Sequence, residues 1–429
     1  MRFPASTHDA RPVGRIVRRR VVAFAMGALV AALPSVAPAA APEPLRVGLL
    51  TVKTGPLAGP GKQMEDGLRF FLKERGNQLA GRPVELIVAD TAGQPATART
   101  KAQELVERSK VALLVGPLAT TELLAIDDYV RDAKVPTIVS SALAEDITQR
   151  TPNAWMVRAS ATTGQIMHPL GAYAAGTLGY KRVATVATDF SFGHEAVGSF
   201  QRTFEDGGGK VVQKIWVPPT ATDFAAYVAQ IKPNVDAVFA SFSGSSATGF
   251  VRQYADYGLK AKIPLIASHS TVEESLLKAE GENAVGIISA GIYSAAIDTP
   301  ENNAFDRAFR TATGTDPGFY SVGTYMAGLF LEAALKATAG HTDDPAALMR
   351  ALRSLKLAHS PRGPISIDEY GNPVGSTYIR RTERKNGRLQ NTVIHVYPET
   401  TQFWTYDPKR FLADPVYSRD YPPTRFIER

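Results

Sequence analysis

From residue 45 onward, short apolar runs alternate with amphipathic stretches of helical length. The pattern predicts strands over 45–51, 84–90, 111–115 and 137–140, with helices over 66–75, 97–109 and 121–133. A second series follows, with strands over 182–188, 210–217, 237–242, 264–267 and 285–291 and helices over 192–206, 224–232 and 248–257. Beyond residue 293 the period is helical, over 302–313, 321–339 and 345–355. Strand character returns after Gly363, over 376–381 and 392–397. Between these runs lies Lys385-Asn386-Gly387-Arg388, where the Asn-Gly pair marks a hairpin. Residues 398–429, rich in Pro, Tyr and Phe, read as an irregular arm on the surface.

Alternation of strand and helix means βαβ units, and hence parallel sheets covered by helices on both faces. Two such series predict an α/β protein of two Rossmann-like lobes. In open α/β sheets, ligands sit beyond the carboxyl ends of the strands. The site is therefore expected in a cleft between the lobes, where their loops face each other.

Composition narrows the possibilities. The chain has 429 residues, 44% hydrophobic and 21% charged, the balance of a globular protein too long for one core. It has no cysteine, which removes disulfides, Fe–S clusters, thiol catalysis, Cys-type zinc sites and a lipid anchor of the lipoprotein kind. The net charge of +7 suggests nucleic acid until its position is read. Arg2, Arg11, Arg15, Arg18, Arg19 and Arg20 face only Asp9 within residues 1–39, so that segment carries five of the seven charges. The nearly neutral remainder offers no basic stripe for phosphates, and no nucleic-acid partner is expected.

Residues 1–39 read instead as an export signal. A basic stretch precedes an apolar run over 21–33, too short for the roughly 20 helical residues a bilayer core requires. Ala37 and Ala39 form the small pair before a cleavage expected after Ala39, which leaves a periplasmic chain that is not lipid-anchored. Arg18-Arg19-Arg20-Val21-Val22 fits the twin-arginine route and the general secretion route alike.

Motifs of enzyme chemistry fail on spacing. In Gly55-Pro-Leu-Ala-Gly-Pro-Gly61-Lys62-Gln63 there are five residues between the outer glycines, and Gln63 stands where a phosphate loop needs Ser or Thr. Gly249 comes three residues after Ser246, not two as in a nucleophile elbow, so a secreted hydrolase using Ser246, Asp298 and His341 is the weaker alternative. The seven histidines show no metal spacing. Asp127-Asp128 and Glu273-Glu274 read as polar helix faces. No enzyme, no metal and no cofactor is expected.

The strand ends offer binding loops. VGPLATTE (115–122) ends one strand at a helix start where Thr120 or Thr121 can cap and free N–H groups attract an anion. VSSALAEDITQR (139–150) supplies small residues. TDFSFGHE (188–195), Ser241-Phe242-Ser243, Ser268-His269-Ser270 and Gly291-Ile292-Tyr293 bring aromatics, an imidazole and a crossing.

Taken in order with TGPLAGPG (54–61), these loops resemble the periplasmic solute-binding proteins of the branched-chain amino acid transporter family, over residues 45 to about 373. The resemblance implies the type I periplasmic binding fold, its lobes joined by a three-stranded hinge. The signal then covers 1–39, the N-terminal lobe 45–188 plus 294–366, and the C-terminal lobe 189–293 plus 367–429 with its arm. It also implies a monomer that hands its ligand to an inner-membrane ABC permease; use as a sensor feeding a membrane receptor stays open.

Carried over by position, the family's contacts fall on Pro60, Thr120, Ala142 and Leu143 in the first lobe, and on Phe192, close to Phe242, and on His269 in the second. The strand-end loops add Thr121 and Tyr293 as candidate ligand contacts. Leu143 stands where a hydroxyl residue is usual, Phe192 lacks the usual phenol, and His269 replaces an acid that would meet an α-ammonium. An α-ammonium buried without an anion is costly. The expected ligand is therefore an aromatic or other apolar carboxylate, benzoate-like or cinnamate-like. The alternative is an amino acid or amide ligand, with Glu273 or Glu274 supplying the missing acid.

Overall fold

The strands of both series are apolar runs almost without exposed side chains, as parallel strands covered on two faces must be. In the computed structural model, which describes residues 43–428, they assemble into two sheets. The expected export signal lies outside the described residues. Among these residues no helix is long and apolar enough to cross a membrane.

The first lobe runs β1 (Leu45–Thr51), α1 (Ala58–Glu74), β2 (Gln78–Leu79), β3 (Arg82–Asp90), α2 (Pro95–Gln103), β4 (Leu113–Val115), α3 (Thr120–Ala133), β5 (Thr137–Val139) and β6 (Met156–Arg158). Its sheet has the order β2-β3-β1-β4-β5-β6, parallel except for β2. The chain then crosses to α4 (Thr163–Gly176), β7 (Arg182–Thr188), α5 (Ser191–Asp206), β8 (Lys210–Val217), α6 (Ala225–Val228), β9 (Ala237–Ser241), α7 (Gly244–Asp256), β10 (Leu265–Ala267), α8 (Leu277–Glu280) and β11 (Ile288–Gly291). It returns through α9 (Pro300–Thr313), α10 (Phe319–Ala337), which packs on α1, and α11 (Pro345–Arg353). A small ladder of β12 (Lys356–Leu357) and β13 (Ile365–Ile367) leads it back into β14 (Pro373–Lys385) and β15 (Arg388–Thr400). The second sheet has the order β12-β13-β14-β11-β10-β9-β7-β8, with β15 on β14. The expected hairpin closes through Asn386 and Gly387, both at positive φ (51° and 77°), as the tight primed turn requires.

Two differences from the sequence reading share one cause. Strand 182–188, expected in the first lobe, is β7 and pairs with β8 and β9 in the second sheet. The crossing comes earlier, at residues 159–162, because β6 and α4 escape the periodicity. Helix α4 is buried almost all round and carries Pro169 inside it, so it shows no polar face to betray a helix.

In each sheet the first strand has the next parallel strand on one side and the one after it on the other, β3-β1-β4 in the first and β8-β7-β9 in the second. This reversal opens a crevice at the strand ends. The crevices lie beyond β1 and β4 in one lobe and beyond β7 and β9 in the other.

The arm after β15 is ordered. Phe403, Phe411 and Tyr417 are buried against one another, and the Arg202 guanidinium lies 4.1 Å over Tyr406 and 4.9 Å over Phe411. Arg150 donates to the carbonyls of Phe411, Asp414 and Pro415. The Tyr417 hydroxyl lies 2.8 Å from His168 Nε2. Each buried ring contributes about 1.5–3 kcal/mol, offset by the entropy of ordering the arm. Truncation after Gln402 is expected to lower the melting temperature by about 5 °C or more in a thermal melt. An unchanged melt would make the arm a passive tail.

Candidate ligand-binding site

The two crevices face each other across a cavity of about 60 Å³. From the first lobe it is lined by Leu57 after β1, Leu118, Ala119 and Thr120 after β4, and Ser141, Ala142 and Leu143 after β5. From the second come Phe190 and Phe192 after β7, Ser243 after β9, and His269 and Ser270 after β10. Phe319 and Tyr320, at the start of α10, complete it.

Five helices begin at the lining. Leu57, Ala119, Phe190 and Ser243 are the residues before the first turns of α1, α3, α5 and α7, and Phe319 opens α10. Helix N-termini carry unpaired N–H groups and the positive end of the helix dipole, so their convergence favours an anion. In α3 the Glu122 carboxylate takes the Ala119 N–H at 2.8 Å, leaving the Thr120 N–H without a backbone partner among the described residues.

The remaining surface is aromatic. His269 lies 4.3 Å from Phe319 and 6.0 Å from Phe192, ring centre to ring centre. Phe192 meets Phe190 at 6.1 Å, and Phe319 meets Tyr320 edge-on at 5.1 Å. Such a frame admits a flat ring by edge or offset stacking. Among the described residues no lining side chain carries a fixed charge.

His269 is neutral here. Burial, reinforced by the Arg380 charge nearby, holds its pKa down to about 3 from an ordinary 6.5, and its Nδ1 has no partner among the described residues. Between those values the unfolded chain takes up a proton that the folded chain refuses, so this ring subtracts stability as pH falls from 6.5 toward 3. In a two-dimensional NMR titration the His269 ring signals, assigned with His269→Gln, are expected to stay neutral from pH 8 to pH 5. A midpoint near 6.5 would contradict that environment.

Of the residues expected from the sequence, Thr120, Ala142, Leu143, Phe192 and His269 line the cavity. Pro60, Thr121, Phe242 and Tyr293 do not. Pro60 is buried in the first turn of α1, and Thr121 is half-buried one residue along α3. Phe242 stacks on Phe250 at 4.6 Å and meets Phe224 edge-on, so it belongs to the core of the second lobe. Tyr293 is fully buried against Phe305. Sequence reasoning missed Phe319 and Tyr320; the available signal was an aromatic pair directly after Gly318 at a helix start.

Glu273 and Glu274, the alternative source of an acid, lie outside the cavity lining. The Glu273 carboxylate accepts from the Ser275 N–H at 2.8 Å and from the Ser275 hydroxyl, and burial pushes its pKa up. Glu274 pairs with Arg380 at 3.3 Å.

Comparison with known proteins agrees with this architecture. A family model described as periplasmic binding protein matches residues 44–388. A protein named Leu/Ile/Val-binding protein homolog 6 from Brucella melitensis is 33% identical over 84% of this chain and 93% of its own. The chain belongs to the periplasmic binding protein family, among the Leu/Ile/Val-binding homologues. A solute-binding protein of an ABC transporter from Rhodopseudomonas palustris BisB5, solved in complex with 3,4-dihydroxybenzoic acid, is 35% identical to this binding protein. It superposes with a TM-score of 0.79 over 83% of this chain and 98% of its own. A second R. palustris solute-binding protein, solved with 4-hydroxybenzoate, is 32% identical, with a TM-score of 0.79 over 84% of this chain and 99% of its own. The arm of this binding protein lies beyond the residues that the family model matches.

Proposed function

We propose that this protein captures a small aromatic carboxylate, of the benzoate or hydroxybenzoate class, and presents it to the permease of an ABC importer. The observation that carries the reading is the lining of the cavity. Converging helix N-termini and the Thr120 and Ser243 hydroxyls suit a carboxylate, while Phe190, Phe192, Phe319 and neutral His269 suit a ring. Among the described residues no acid lines the cavity to balance an α-ammonium, which weighs against an amino acid. The two R. palustris neighbours solved with hydroxybenzoates support the same class.

Capture needs no bond chemistry, and the protein acts as a carrier, not an enzyme. Ligand that touches loops of both lobes binds the closed form better and shifts the hinge equilibrium toward it. In this reading the first lobe comprises residues 43–158 and 300–367, and the second 163–291 and 373–400 with the arm. The three crossings between them form the hinge. The mature chain, cut near Ala39, works as a monomer in the periplasm.

A thermal-shift panel tests the reading. Ligand at a hundred times its Kd adds about 2.7 kcal/mol of stability. Benzoate and hydroxybenzoates are expected to raise the melting temperature, and branched-chain amino acids to leave it unchanged. A shift with leucine alone would overturn the ligand class.

A further inference from the structure

The cavity takes an anion in this reading but offers it no cationic side chain. Behind the lining, however, Arg158 at the end of β6 is fully buried. Its guanidinium donates to the Ala142 carbonyl at 2.8 Å, to the Ala144 carbonyl at 2.6 Å and to the Thr148 hydroxyl at 3.3 Å. No carboxylate of the described residues lies within salt-bridge distance of it. A guanidinium keeps its charge even here: burial lowers the pKa of Arg158 only to about 10.

The Ala142 carbonyl and the Leu143 N–H belong to one planar trans peptide and point in opposite directions. Arg158 holds the oxygen end. The Leu143 N–H at the other end has no acceptor among the described residues, and both Ala142 and Leu143 line the cavity. Hydrogen bonds in a chain polarise one another, and they do so more strongly in a low-dielectric interior. We infer that Arg158 is a positioning residue for the ligand carboxylate, supplying the balancing positive charge from behind the cavity wall through the Ala142–Leu143 peptide. The inference rests on the carboxylate reading above and explains how an uncharged lining can favour an anion.

The groups around Arg158 set the size of the effect. Glu145 lies in the same loop, Glu195 faces it from α5, and Asp368 approaches from the β13–β14 turn. Glu145 accepts from the Gly164 N–H at 2.7 Å, and Glu195 accepts from the Thr163 hydroxyl at 2.6 Å. Burial pushes the pKa of both upward, with Arg150, Asp146 and Tyr417 near Glu145 and His168 held neutral. Ionisation of Glu145 would offset the arginine.

The test compares 4-hydroxybenzoate with its neutral amide by isothermal titration at pH 8. If the unaltered chain prefers an amino acid, the pair becomes leucine and leucinamide, so failure of the ligand class stays distinct from failure of this inference. Arg158→Gln is expected to lower the affinity ratio of carboxylate to amide at least tenfold. A parallel loss of both ligands, as from a merely structural role, would overturn the inference. Glu145→Gln retains the arginine and decides the matter should Arg158→Gln not fold. It is expected to raise the same ratio about threefold or more, and an unchanged ratio would overturn the inference.

Discussion

Replacing Arg380 by methionine is expected to cost about 3–5 kcal/mol of folding stability in denaturant unfolding, the range found when one partner of a buried ion pair is removed. Arg380 sits on β14 opposite Ser289, with 1% of its surface exposed. It pairs with Glu274 at 3.3 Å and donates to the Tyr293 carbonyl at 2.7 Å, the Ser289 hydroxyl at 3.2 Å and the His269 carbonyl at 3.4 Å. Without it Glu274 stays buried and uncompensated. The double variant Arg380→Met, Glu274→Leu removes both charges and is expected to recover most of the loss, because a buried pair is worth little against apolar residues of similar volume. Equal losses in the single and double variants would show that the carbonyl bonds, not the charge, dominate. The same arginine anchors the backbone at His269, so ligand affinity of the single variant should fall as well.

Gly193→Ala is expected to damage stability and binding together. A Cβ at Gly193 would lie 1.9 Å from the Thr188 carbonyl oxygen, and α5 would have to lift from the end of β7. Overpacking of this kind costs about 1–3 kcal/mol or more, and the lift moves Phe190 and Phe192 out of the cavity wall. Affinity is expected to fall about tenfold or more in titrations of the still-folded variant. The first lobe uses the same close approach, with Gly61 of α1 against the Val52 carbonyl oxygen. Unchanged affinity in Gly193→Ala would mean that the two phenylalanines do not define the site.

Short apolar strand runs and helices with one polar face were legible from the residues. β1, β7 and β8 run over the expected residues, and α3, α5 and α9 begin within two residues of expectation. What escaped at the first crossing were β6 and α4, whose uniform burial erases any alternation of faces. The strand-end loops also gave five of the cavity's residues. They did not tell which way a side chain turns once the strand alternation stops. Phe242 follows the last residue of β9 and turns into the core beside Phe250, while Phe192, inside the first turn of α5, turns to the cavity. Phe319 and Tyr320 were hidden for a different reason. They come from the chain's return to the first lobe, and only the folded topology carries the start of α10 to the strand ends of the second.

The most direct measurement is isothermal titration of the mature chain, unfolded and refolded to strip any bound ligand, with 4-hydroxybenzoate and with leucine. One-to-one binding of 4-hydroxybenzoate with a Kd of about 1 μM or tighter, and no heat from leucine at a hundredfold higher concentration, is the predicted result. Tight leucine binding with 4-hydroxybenzoate silent would contradict it, and would mean that a neutral aromatic lining can hold an α-ammonium without an acid.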